Sequence, residues 1–185
     1  VITDRNSTFG YRRFRDACKK KNLRPAYGAE LAVIDDFAQK KPILNYWTFL
    51  AKSEIKSVNA LIDLSTSNTI KDSCMHIDAA IAAEGVIKII GERVTYPQLF
   101  KCAGKADIFL ALSPATPIKL VSAARENNIP LIAVSDNYFP RKEDLEFYRA
   151  ALGRRASTQT YPLHIQSDDE WLESVARFTK PEQAQ

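Results

Sequence analysis

Apolar residues recur at helical spacing in some stretches of the chain and run almost without interruption in others. Between Phe9 and Lys21, Gly10, Phe14, Ala17 and Cys18 return at i, i+4, i+7 and i+8, with Arg12, Arg13, Arg15, Lys19 and Lys20 opposite. That spacing predicts an amphipathic helix, stopped by Asn22 and Pro25. Ser53 is placed to cap a second helix reaching about Leu64, with Ile55, Val58, Leu61 and Ile62 inward. Ser65 to Ser73 is polar and reads as loop. Further helices are expected over 77–84, ending at Gly85, and over 96–103, 114–127 and 142–152. Pro117 falls in the first turn of the helix at 114–127, where proline is tolerated. A last helix is expected from Asp168 to Phe178, with Ser167 and Glu170 at capping-box spacing.

The uninterrupted apolar runs read as strands: 26–34, 43–51, 86–91, 107–112 and 131–134, with Val1–Asp4 as a strand end. Strands alternating with helices predict an α/β fold with a parallel sheet covered on both faces. A barrel and an open doubly wound sheet both satisfy this pattern.

The 185 residues suit one domain, taken as 1–178 with a tail at 179–185. No apolar run is long enough to predict a membrane span. Cys18, Cys74 and Cys102 are scattered, which suits a reducing cytoplasm better than a disulfide scaffold. Cys18, on an apolar helix face, is expected in the core. The net charge is only +4, but it is uneven: between Arg5 and Arg24 the basic residues face Asp16 as the one acid. Arg12, Arg13, Lys19 and Lys20 are either a solvated face or a contact to nucleic acid. Val1 is not an initiator, and Val1–Asp4 reads as the last residues of a strand, so the chain is expected to continue upstream.

Four stretches, in order, carry a resemblance to a known family. They are Val1–Gly10 (VITDRNSTFG) with Lys19–Glu30 (KKKNLRPAYGAE), Tyr46–Glu54 (YWTFLAKSE), Pro130–Phe139 (PLIAVSDNYF) and Tyr161–Trp171 (YPLHIQSDDEW). Together they resemble the PHP (polymerase and histidinol phosphatase) domain of bacterial DNA polymerase III alpha subunits, over most of the chain. The resemblance implies a distorted (β/α)7 TIM-like barrel, here without its first strand and helix, and metal ligands at the carboxyl ends of the strands.

Carried over by position, the resemblance places ligands at Glu30, Glu92 and Asp136. The family's histidine positions hold Arg5, Tyr46 and Tyr138, and its H-x-H pair has no counterpart. Arginine does not ligate metals, and its charge repels them. Arg5 is therefore expected to pair with Glu30 or Asp136 where metals would sit. The two histidines, His76 and His164, are not expected to be ligands, and His76 is placed to cap a short helix.

The resemblance implies a parent chain that is a DNA-directed DNA polymerase (a nucleotidyltransferase) acting in DNA replication. This domain would be a structural or interaction module with a degenerate metal site and no cofactor. Its partners would be the rest of the alpha subunit and replisome proteins, with DNA met indirectly and no membrane. The alternative is a metal-dependent phosphoesterase or 3'-5' exonuclease, with the three carboxylates on manganese, magnesium or zinc. A third reading is a binding module resting on the basic helix.

Overall fold

A computed structural model describes residues 1–36, 44–52, 55–70, 74–135, 137–153 and 163–178. Asp136, the Ser53 cap, the connection at 154–160, most of the charged turn at 35–41 and the tail at 179–185 lie outside them. The strands are β1 (Ile2–Arg5), β2 (Tyr27–Ile34), β3 (Asn45–Ala51), β4 (Cys74–His76), β5 (Val86–Ile90), β6 (Ile108–Leu112) and β7 (Leu131–Ala133). The helices are α1 (Tyr11–Lys20), α2 (Ile55–Ile70), α3 (Ile77–Ala82), α4 (Tyr96–Lys101), α5 (Ile118–Glu126), α6 (Leu145–Leu152) and α7 (Asp168–Val175).

The fold is α/β with one mixed, mostly parallel sheet in the order β1-β2-β3-β5-β6-β7. The sheet is not closed: among the described residues no pairing joins β7 to β1. Strand β3 runs antiparallel to both neighbours, β2 and β5. This departs from the all-parallel expectation: only ten residues join Ile34 to Asn45, fewer than a parallel crossover needs. β4 pairs with Ala32–Ile34 of β2, while β1 pairs with Tyr27–Glu30. As β3 covers the opposite edge of β2 along most of its length, β1 and β4 share one edge end to end.

The main core lies on one face of the sheet. Ala29, Leu31 and Val33 of β2, Trp47 and Phe49 of β3 and Ile108 and Leu110 of β6 point there and are buried. Helices supply Tyr11 (α1), Leu61 (α2), Ile77 (α3), Leu99 (α4) and Leu120 (α5) to that same core. Each such apolar side chain contributes about 1.5–3 kcal/mol by leaving water. Helix α7 continues the layer, with Val175 packed beside Val121 of α5.

Helices on both faces were expected; the helices that feed the core lie on one. The reason is topological. β5, β6 and β7 advance in one direction, and right-handed crossovers then place α4 and α5 on the same side. A doubly wound sheet needs that direction to reverse. The opposite face has a thinner cover, with Thr48, Leu50, Ile87 and Phe109 only partly buried.

Several local expectations also shift. Helix α2 runs on to Ile70 through the stretch read as loop. Its inward face is set by Ser57, Leu61 and Ser65, while Ile55 is 82% and Ile62 40% exposed. In α1, Tyr11 and Cys18 are buried and Ala17 is exposed. The Tyr11 hydroxyl donates to the Gly28 carbonyl at 2.9 Å and ties α1 to β2. Pro117 is the residue before α5 and not inside its first turn.

Candidate functional site

The site lies on the thinly covered face, at the carboxyl end of β1. Parallel pairing sets Arg5 opposite Glu30, so both side chains leave the sheet on the same face. The turn that follows fixes this register. Asn6 adopts a left-handed φ of 51°, a conformation asparagine tolerates better than most residues. Its N–H donates to the Glu30 carbonyl at 2.8 Å, and its side-chain oxygen accepts from Ala32 N–H at 3.4 Å.

Arg5 Nε donates to Glu30 Oε2 at 2.6 Å. The guanidinium carbon lies 4.2 Å from the centre of the Tyr46 ring, a cation–π contact. Tyr46 reaches it because antiparallel pairing places Tyr46 across from Ala32, two residues along the same face from Glu30. The bond to Glu30 raises the Arg5 pKa above its ordinary value; partial burial opposes this, and the charge of Glu30 and then Tyr46 and Tyr138 add to it. Thus Glu30 and Tyr46, both far from Arg5 in sequence, contact its guanidinium.

Tyr138 is held from the other side. Its N–H donates to the Leu163 carbonyl at 2.8 Å, and its ring lies 5.6 Å from that of Tyr148 in α6. Glu92 belongs to a different group. It follows the end of β5, which β3 separates from β2, and it accepts from the Ser113 hydroxyl at 3.3 Å. It lines a cleft of about 430 Å³ with Tyr96 and Lys119. The aspartate position, Asp136, lies outside the described residues.

These residues do not fit a metal. One Glu30 oxygen is committed to a guanidinium that cannot ligate. A cation about 4 Å from that guanidinium meets repulsion of about 4 kcal/mol per unit charge at an effective dielectric of 20. Arg5 is 57% exposed at its side chain, so solvent reduces this without removing it. Among the described residues no group of three or more His, Cys, Asp or Glu side chains is placed to hold a metal ion.

The histidines have other roles. His76 is the cap of α3, its Nδ1 accepting from Asp78 N–H at 3.3 Å. His164 is buried, its ring stacked 6.4 Å from Phe139, with Nε2 3.6 Å from a Glu170 oxygen. The basic residues Arg12, Arg13, Lys19 and Lys20 are all exposed on α1. Sequence reasoning missed Asn6, whose signal was a short polar residue in a turn directly after the strand. It also missed the exposure of Phe9.

No family model matches the chain, and no curated protein matches it.

Proposed function

We propose that this chain is a PHP-type domain like those of bacterial DNA polymerase III alpha subunits, acting in replication as a structural or interaction module. The observation that carries this is the convergence of Arg5, Glu30 and Tyr46. The resemblance names these three as positions of one metal site, and their meeting in space supports it. An ion pair then stands where the family's hydrolases hold metals, so the domain keeps a packing role and no phosphoesterase chemistry.

The finer fold belongs to the same proposal. Mostly parallel strands with core helices on one face favour a sheet curled around its other face, as a distorted (β/α)7 barrel requires. The partners would be the remainder of the alpha subunit and replisome proteins, in the cytoplasm. No described helix is long and apolar enough to cross a membrane.

The competing activity is a manganese-, magnesium- or zinc-dependent phosphoesterase or 3'-5' exonuclease through Glu30, Glu92 and Asp136. Phosphatase and single-strand exonuclease assays with added manganese separate the two. The proposal expects no turnover that depends on Glu30. Hydrolysis by the wild-type chain that vanishes in Glu30→Gln would overturn it.

A further inference from the structure

Helix α1 carries Arg12, Arg13, Arg15, Lys19 and Lys20 against Asp16 alone, a charge of +4. The whole chain also carries +4, so the rest of the molecule balances to zero and the entire excess sits on this helix. At 100° per residue, Arg15, Lys19 and Arg12 fall on one flank of the exposed arc, with Lys20 and Arg13 on the other. Asp16 lies between the flanks and is engaged by Arg15 at 3.0 Å. Arg12 and Lys19 are two turns apart, about 10 Å along the axis.

The loop before α1 adds an unusual feature. Phe9 precedes the cap residue Gly10 and Phe14 is the fourth residue of the helix, the positions of a hydrophobic staple. The staple is open. Phe14 instead packs edge-on against Tyr27 at 6.4 Å, and Phe9 is 95% exposed. The loop around it is tied down: Phe9 N–H donates to the Ser7 hydroxyl at 3.2 Å. Gly10 sits against β1 so closely that an added Cβ would lie 2.6 Å from an Asp4 carboxylate oxygen. A bare aromatic ring is thus presented on a tied-down loop beside a helix of charge +4.

We propose that Phe9 and the basic arc of α1 form a contact surface for single-stranded nucleic acid. Phe9 is the platform on which a base stacks, and Arg12, Arg13, Lys19 and Lys20 contact the phosphates. A duplex keeps its bases stacked on one another and offers Phe9 no free face, so the ring favours a single strand. The surface does not include Arg5 or Glu30, so it stands or falls apart from the reading of the metal site.

The test is fluorescence anisotropy of the intact chain with a labelled oligothymidylate and with the matching duplex. Four phosphate contacts predict that affinity falls about 50-fold between about 50 and 200 mM salt, following the single-strand slope of about −0.7 per contact. Phe9→Ala and Phe9→Leu should each weaken binding about tenfold and leave the salt slope unchanged. Arg12→Glu with Arg13→Glu should flatten the slope by about half. All of these side chains are exposed, so circular dichroism and the melting temperature should match the wild type. Absent binding at low salt, equal affinity for the duplex, or indifference to both Phe9 variants would each overturn the proposal. Binding only to acidic polypeptides would do the same.

Discussion

Replacing Arg5 by alanine removes two contacts at once, the bond to Glu30 and the stack on Tyr46. The size of the loss follows from exposure. The side chains of Arg5 and Glu30 are 57% and 27% exposed, so the ion pair is screened and worth about 0.5–1 kcal/mol. The cation–π contact adds about 0.5–1 kcal/mol. Arg5→Ala should therefore cost about 1–2 kcal/mol and lower the melting temperature by about 3–6 °C. Glu30→Gln should cost less, because the Tyr46 stack remains. In a double-mutant cycle of Arg5→Ala with Glu30→Gln the coupling should be about 0.5–1 kcal/mol, and it should shrink in about 1 M salt. Urea unfolding followed by tryptophan fluorescence reads all four corners, since Trp47 is fully buried in the core. Strictly additive losses, or a Glu30→Gln variant more stable than the wild type, would contradict this coupling. Either result would mean that Glu30 does not hold Arg5.

Three further outcomes follow from the fold. Gly28→Ala should destabilise by about 1–3 kcal/mol in urea titrations, because its Cβ would lie 2.7 Å from the Phe49 carbonyl oxygen. His76→Ala should cost about 1 kcal/mol through loss of the α3 cap, and His76→Asn should recover most of it in the same assay. At alkaline pH, burial pushes the Cys102 thiol from 9.0 up to about 12. Burial, with Asp4 adding to it, takes the Tyr11 hydroxyl from 10.0 to about 12. Both groups hold their protons more tightly folded than unfolded, so their contribution is intact below about pH 9 and is lost as the pH rises toward about 12. Melting temperatures across that range should fall, and a flat profile would contradict this.

Much of the element list was legible because its signals are local. Ser167 and Glu170 form the capping box expected of them and His76 caps α3, whereas α3 stops at Ala82, before the Gly85 expected to end it. What stayed hidden depends on partners distant in sequence. Ser65 and Thr66 read as loop because short polar residues favour turns. In the fold Ser65 faces inward, and the Thr66 hydroxyl donates to the Ile62 carbonyl one turn back, at 2.8 Å. The short link between β2 and β3 is a signal for the reversal of β3, but the one-sided helical layer depends on strand order, which leaves no mark on a single strand. A pairing of Arg5 with Glu30 or Asp136 was expected because the resemblance places all three positions at one site. The Tyr46 stack was not, since it depends on the antiparallel register of β3 with β2.

Under the proposed function, the Arg5–Glu30 ion pair occupies the place of a metal centre. The most direct measurement is elemental analysis of the purified chain by plasma mass spectrometry after extensive dialysis, with Glu30→Gln measured alongside. The account predicts far less than one zinc, manganese or iron per chain, with no difference between the two proteins. Stoichiometric metal in the wild-type chain, lost in Glu30→Gln, would contradict it.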